Sequence, residues 1–208
     1  MRLTKYVQKC LENHLQDGSR VLDATSGNGF DTIRAAQLIK PNGELVAIDI
    51  QSSAIKATKK KLTQAGLKSL CKLFHGEHGA IMEELTCDSY FDTIIFNLGY
   101  LPGSDKKIIT TSKSTLHALE QSIRLLKTDG LLFVTAYRGH AGGFKESIAV
   151  AKWMKAMKEQ PYPFSWHINE IQGNLNPNSP LEGSIKKDSP ILWIGSKTSL
   201  NLPKLPLH

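Results

Sequence analysis

The sequence predicts an α/β fold: a doubly wound, seven-stranded, mostly parallel sheet with helices on both faces and an antiparallel edge strand. Three observations predict it. Short apolar runs alternate with amphipathic stretches of helical period along the chain. A loop of small residues, Asp23-Ala24-Thr25-Ser26-Gly27-Asn28-Gly29, joins the first such run to a helical stretch. The last two apolar runs are separated only by a polar loop, which implies an antiparallel pair at one edge.

The elements follow in order. Leu3, Val7, Leu11 and Leu15 recur at helical spacing and predict an opening helix over 4–16, broken by Asp17-Gly18. Residues 20–24 read as a strand, and Asp31 begins a helix running to Ile39. After the Pro41-Asn42-Gly43 turn comes a second strand over 44–50. Ser52 or Ser53 is expected to cap the next helix, which ends near Gly66. A third strand spans 70–75, a short helix 79–85, and a fourth strand 91–96. The loop from Gly99 to Ser112 is long for a compact domain, and such loops are often functional. A helix over 113–127 closes at Asp129-Gly130, and a fifth strand covers 131–137. Residues 144–159 read as a helix. Tyr162, Phe164, Trp166 and Ile168 alternate as in a strand, within 161–171. A polar loop over 173–188 leads to a last strand at 190–195. No linker divides the chain, so 1–195 reads as one domain and 196–208 as a C-terminal tail.

Bulk properties narrow the function. A chain of 208 residues with 40% hydrophobic and 22% charged residues can bury a full core. No apolar run approaches the roughly 18 residues needed to span a bilayer, and the N-terminus lacks a signal-peptide core. The chain is therefore read as cytoplasmic, with no membrane partner. Cys10, Cys71 and Cys87 are far apart and odd in number, which indicates neither disulfides nor a zinc ribbon. His75-x-x-His78 lacks a third ligand, so no metal is expected. The net charge of +7 favours a polyanion, with RNA the obvious candidate. Lys59-Lys60-Lys61 reads as a solvated face, and Lys152, Lys155 and Lys158 share one helix face. Trp153, Trp166 and Trp193 are compatible with either the core or a homodimer interface.

Two stretches carry chemistry. In the glycine loop the pattern G-x-G-x-x-G is not satisfied, and Asp23 and Asp31 crowd the turn. A pyrophosphate is disfavoured there. S-adenosylmethionine, which carries an ammonium and a sulfonium, is favoured. Asp49 ends the second strand, where an acid accepts ribose hydroxyls, and Gln51 follows to assist. Glu77 or His78, after the third strand, falls where an adenine-edge contact comes. The predicted cofactor set is Asp23, Thr25, Gly27, Asn28, Gly29, Asp31, Thr32, Asp49, Gln51, Glu77, His78 and Asn97. Downstream, Asn97-Leu98-Gly99-Tyr100-Leu101-Pro102 follows a buried strand. The Asn oxygen and a turn carbonyl can both accept from one amine, which directs its lone pair outward. Tyr100 can stack on a flat ring or pack into the core.

At these residues the chain resembles class I S-adenosylmethionine-dependent methyltransferases, with their Rossmann-like sheet. More narrowly, it is similar to the small bacterial rRNA methylase family, the YtqB-like proteins. The resemblance rests on Asp23-Ala24-Thr25, Gly27-Asn28-Gly29, Asp31-Thr32, Asp49-Ile50-Gln51, His78, Asn97 to Gly103, Asp105-Lys106, Gly139-His140 and Asn176-Pro177. It covers almost all of 1–195. It implies methyl transfer to the 5-aminomethyl group of the tRNA wobble uridine, in the anticodon loop. Two positions depart from the family: Phe30 stands where His is expected, and Arg138 where His often precedes Gly139-His140.

The amine must lose a proton before it attacks, through desolvation or a nearby base. The predicted catalytic residues are Asn97, Tyr100, Asp105 and His140, with Asp105 and His140 as the titratable pair on strand-end loops. Lys106, Lys107 and Arg138 are candidates to meet RNA phosphates. The alternatives are methylation of rRNA or of a small-molecule amine, and, of another class, a non-catalytic cofactor-binding RNA module. A nicotinamide oxidoreductase is disfavoured by the missing third glycine.

Overall fold

The structure, a computed structural model, describes residues 3–86, 90–101, 103, 108–159, 165–172 and 189–198. Among these residues the chain alternates helix and strand: α1 (Leu3–His14), β1 (Arg20–Asp23), α2 (Phe30–Ile39), β2 (Glu44–Asp49), α3 (Ser52–Gln64), β3 (Cys71–His75), α4 (His78–Glu84), β4 (Phe91–Leu98), α5 (Ser112–Leu125), β5 (Leu126–Ala136), α6 (Gly143–Glu159), β6 (Ser165–Gln172) and β7 (Ile191–Thr198). A 3-10 turn, Lys68–Leu70, precedes β3. The seven strands lie in one sheet in the order β3-β2-β1-β4-β5-β7-β6. Strands β3 to β5 pair in parallel, and β7 pairs antiparallel with both β5 and β6. The antiparallel pair sits at one edge as expected, with β7 one place in and β6 outermost.

The pleat sorts side chains between two apolar layers. Ile94, Phe96 and Leu98 of β4 face a cluster shared with Met82 of α4, Leu119 of α5 and Val150 and Met154 of α6. Ile95 faces the opposite cluster, with Leu3, Val7 and Leu11 of α1, Ala35 and Ile39 of α2 and Leu62 of α3. Successive strand residues point to opposite faces. Asn97 therefore shares the Ile95 face and points toward α2.

Several boundaries differ from the sequence reading, each for a local reason. Strand β4 runs to Leu98, because Asn97 and Leu98 pair with Thr135 and Ala136 of β5. Asn97 is a strand residue and the turn begins at Gly99. Helix α3 is capped by Gln51, without a side-chain bond, rather than by Ser52 or Ser53. Helix α5 ends at Leu125, and Asp129 adopts a positive φ of 65° within β5. Residues 196–198, assigned to the tail, belong to β7. Trp193 and Trp166 are buried in the core and Trp153 packs against it, which removes the first two from any interface reading. Cys87, Pro102, Asp105, Lys106, Lys107, Tyr162, Phe164, the 173–188 loop and the tail from 199 onward lie outside the described residues.

Candidate active site

A cavity of about 720 Å³ opens over the carboxyl ends of β1, β2, β4 and β5, with β1 and β4 adjacent at the point where the strand order reverses. Ligand sites in doubly wound sheets form there. Of the predicted residues, Thr25, Gly27, Asn28, Asp31, Asp49, Gln51, Glu77, His78, Asn97, Tyr100 and His140 line it. Asp23, Gly29 and Thr32 do not.

Those three act behind the wall. Asp23 is buried at the end of β1, where its carboxylate accepts from the Thr25 N–H (3.2 Å) and the Thr32 hydroxyl (2.5 Å). Burial pushes its carboxyl up to about 7, partly countered by the Thr32 bond and reinforced by Asp31 and Asp49. Gly29 turns the chain into α2 at φ 76°, and a Cβ there would sit 2.7 Å from Thr58 Oγ1. A side chain at that position is excluded by both backbone and packing. Asp23, Gly29 and Thr32 shape the loop from behind the cavity lining.

Asp49 ends β2 with its carboxylate at the cavity. One oxygen accepts from the Gly27 N–H and the other from the Gln51 N–H, both at 2.8 Å. Burial holds its carboxyl above the ordinary range. The glycine loop and the start of α3 are thus tied to one acid. Lys61 bridges the same region, donating to the Asn28 carbonyl (2.6 Å) with its ammonium 3.7 Å from the centre of the Phe30 ring. Within the Lys59-Lys60-Lys61 run, Lys61 thus packs on the loop while Lys59 and Lys60 are exposed.

Glu77 is the N-cap of α4, its carboxylate accepting from the Gly79 and Ala80 N–H groups at 2.9 and 3.0 Å. His78 opens the helix and is buried edge-on to Phe96. Burial pulls its imidazolium below the ordinary histidine range, with Glu77 opposing. Among the described residues, the buried polar atoms without a partner are Ser26 Oγ, His78 Nε2, Thr93 Oγ1 and His140 Nε2. Ser26, His78 and His140 all line the cavity. Unpartnered buried polar atoms are rare; His78 Nε2 lies 3.5 Å from Glu77 Oε1, and His140 Nε2 packs against Gly99 and Gly143.

Asn97 is held on three sides. Its N–H donates to Thr25 Oγ1 (2.6 Å), and its strand pairing fixes the backbone. Its side-chain Nδ2 donates to Asp31 Oδ2 at 2.9 Å. Gln8 of α1 donates to the other Asp31 oxygen (3.3 Å). A carboxylate only accepts, so the Asn97 amino group must face Asp31 and Oδ1 must face elsewhere. Among the described residues no donor reaches that oxygen. Asp31 thus orients Asn97, a role the sequence reading did not give it.

The far wall comes from the loop after β5. His140 stands edge-on to Tyr100, centroids 5.7 Å apart, and its Nδ1 lies 3.0 Å from the Ala141 carbonyl. A carbonyl only accepts, which places the proton on Nδ1 and leaves Nε2 basic in the neutral ring. Tyr100 is 37% exposed and lies on the cavity wall rather than in the core. The turn carbonyls are both used: Leu98 O accepts from the Tyr137 N–H at 3.3 Å and Gly99 O from the Thr110 N–H at 2.9 Å. Sequence reasoning missed Thr4 and Gln8 of α1, Ser26, Ile108, Thr110 and Tyr137 on the lining. It also missed the buried Glu146 behind it.

The donors and acids suit a cationic ligand. Asp23, Asp31 and Asp49 surround one loop, and a pyrophosphate would meet this negative field with no described Lys or Arg on the lining.

Comparisons with known proteins agree with this geometry. A family model described as "Putative rRNA methylase" matches residues 45–180. A chloroplastic tRNA (mnm5s2U34)-methyltransferase of Arabidopsis thaliana is 38% identical over 153 residues, 70% of this chain and 56% of that protein. The chain thus spans little more than half the length of that curated relative. A Clostridium thermocellum crystal structure of the same description as the family superposes with a TM-score of 0.79 at 29% identity, covering 93% of this chain and 96% of that one. A Streptococcus mutans protein described as a methyltransferase, in complex with SAH, gives a TM-score of 0.74 at 29% identity, covering 95% and 98%.

Proposed function

The chain belongs to the rRNA methylase family, and from that premise we propose that it is an S-adenosylmethionine-dependent N-methyltransferase acting on the 5-aminomethyl group of the tRNA wobble uridine. The observation that supports this reading is the Asp31–Asn97 bond, which turns Asn97 Oδ1 away from Asp31 and leaves it able to accept from an incoming nitrogen.

The residues present fit the cofactor. Thr25, Gly27 and Asn28 would hold its amino-acid end, Asp49 would meet the ribose hydroxyls, and Glu77 and His78 would border the adenine; all six line the cavity. When bound, the cofactor supplies an electrophilic methyl carbon on a good leaving group. Everything else falls to the protein. Asn97 Oδ1 accepts one amine N–H and so aims the nitrogen lone pair. An alkylammonium titrates near 10, so the amine must shed a proton at pH 7. The cavity wall desolvates it, and His140 Nε2 is the described basic nitrogen beside Tyr100. The Tyr100 ring offers a stacking face to uracil. Asp105 is retained as a second proton acceptor. The exposed lysines of α6, Lys152, Lys155 and Lys158, complement anticodon-loop phosphates.

The test is methylation in vitro. Purified protein is incubated with S-adenosylmethionine and tRNA bearing 5-aminomethyl-uridine at the wobble position, and the nucleosides are resolved by mass spectrometry. The expected product is 5-methylaminomethyl-uridine. Methyl transfer only to rRNA or a small amine would overturn the substrate. Transfer to neither would overturn catalysis.

A further inference from the structure

Glu146 lies in the first turn of α6 and is 2% exposed. Buried carboxylates are uncommon and persist when their oxygens are bonded. Here both are. Thr110 Oγ1 donates to Oε2 (2.8 Å) and Thr115 Oγ1 donates to Oε1 (2.6 Å). A hydroxyl has one proton. Because Thr110 spends its proton on Glu146, its oxygen is free only to accept, and it accepts the Gly99 N–H at 2.9 Å. The Thr110 N–H returns to the Gly99 carbonyl, so residue 110 clamps both polar groups of Gly99.

The direction of this chain has a consequence at the cavity. In a trans peptide the N–H and the preceding C=O point opposite ways. Fixing the Gly99 N–H toward Thr110 therefore fixes the Leu98 carbonyl. That carbonyl receives only a long bond from Tyr137 and keeps a second lone pair. Gly99 itself, at φ 150°, lies against His140, where a Cβ would be 3.4 Å from Nε2. We infer that Glu146, acting through Thr110, is a positioning residue that sets the Leu98–Gly99 peptide, so that the Leu98 carbonyl serves beside Asn97 Oδ1 as second acceptor for the substrate amine. This rests on the proposed reading of Asn97.

The test combines two readouts. Amide hydrogen exchange at Gly99, followed by NMR, reports the peptide independently of activity. In Thr110→Val and Glu146→Gln the Gly99 amide should exchange at least tenfold faster than in the unchanged protein, and in Thr110→Ser it should not. In the methylation assay, Thr110→Val and Glu146→Gln should lower kcat about 10- to 100-fold, the scale of misplacing a reacting group by an ångström. KM for tRNA and cofactor affinity by calorimetry should stay within twofold, with Thr110→Ser restoring kcat. Thr115→Val, which touches Glu146 but not Gly99, should have the smaller effect. Unchanged Gly99 exchange in both variants would overturn the relay whatever the enzyme does. Faster exchange with unchanged kcat in an active enzyme would overturn the positioning role. An inactive unchanged protein would instead overturn the methyltransferase reading.

Discussion

Replacing Asp23 with Asn should remove a pH dependence from the folding stability of this protein. The carboxyl of Asp23 is pushed from an ordinary 3.8 up to about 7 by burial. Folding therefore favours the protonated form, and the native state binds more protons than the unfolded chain between those two values. Stability contributed this way is complete below about 3.8 and is lost as pH rises through about 7. The interval from 3.8 to about 7, at about 1.4 kcal/mol per pH unit, corresponds to about 4 kcal/mol in all. Of this, about 2.5 kcal/mol falls between pH 5 and pH 8. Other groups titrate in the same range: Asp49 adds in the same sense and His78 in the opposite one. The comparison that isolates Asp23 is the difference between the two proteins. Asn preserves an oxygen for the Thr25 N–H, and the Thr32 hydroxyl can turn to accept from the new amide. Urea denaturation at pH 5, 6, 7 and 8 should show Asp23→Asn gaining about 2.5 kcal/mol on the unchanged protein across that range. Parallel pH profiles would refute the argument, because they would mean Asp23 titrates alike in both states.

Other perturbations separate binding from chemistry. Asn97→Ala should reduce turnover at least about 100-fold, since it removes the oriented acceptor, while calorimetry shows cofactor affinity within a few-fold of normal; unchanged turnover would remove Asn97 from the reaction. Asp49→Ala should weaken cofactor binding about 10- to 100-fold, because two charge-assisted contacts and the tether to Gly27 are lost together; equal affinity would place the ribose elsewhere. Binding of tRNA should fall steeply with salt as counterions are released, and a flat filter-binding profile between 50 and 200 mM salt would favour a small-molecule acceptor.

Element order and the position of the site were legible because both follow from periodicity and loop composition. The alternation of Ile94, Ile95 and Phe96 between two apolar layers is the period-two pattern seen along 91–96. What was not legible depends on three-dimensional pairing. Asn97 reads as a turn residue because Asn is a turn former, yet pairing with Thr135 keeps it in the sheet. Asp31 reads as a ligand contact because it opens a helix beside a glycine loop. Its partner Asn97 lies 66 positions away, a separation no local pattern encodes. Glu146 looks like an ordinary acidic residue in the first turn of a helix. Its burial follows only from where Thr110 and Thr115 come to rest. Glu77 reads as an adenine-edge contact in the sequence, yet the structure also uses its carboxylate to cap α4, a role that depends on where the helix begins.

Strand β4 lies between β1 and β5, with sheet neighbours on both sides as far as residue 95 and on the β5 side through residue 98. Asn97, proposed to meet the acceptor nitrogen, is thus anchored in the sheet, whereas Gly99, which begins the connection to α5, is held by Thr110 from the far end of that connection. On the proposed reading, the oxygen presented to the substrate and the rim of the cavity belong to separate pieces of chain.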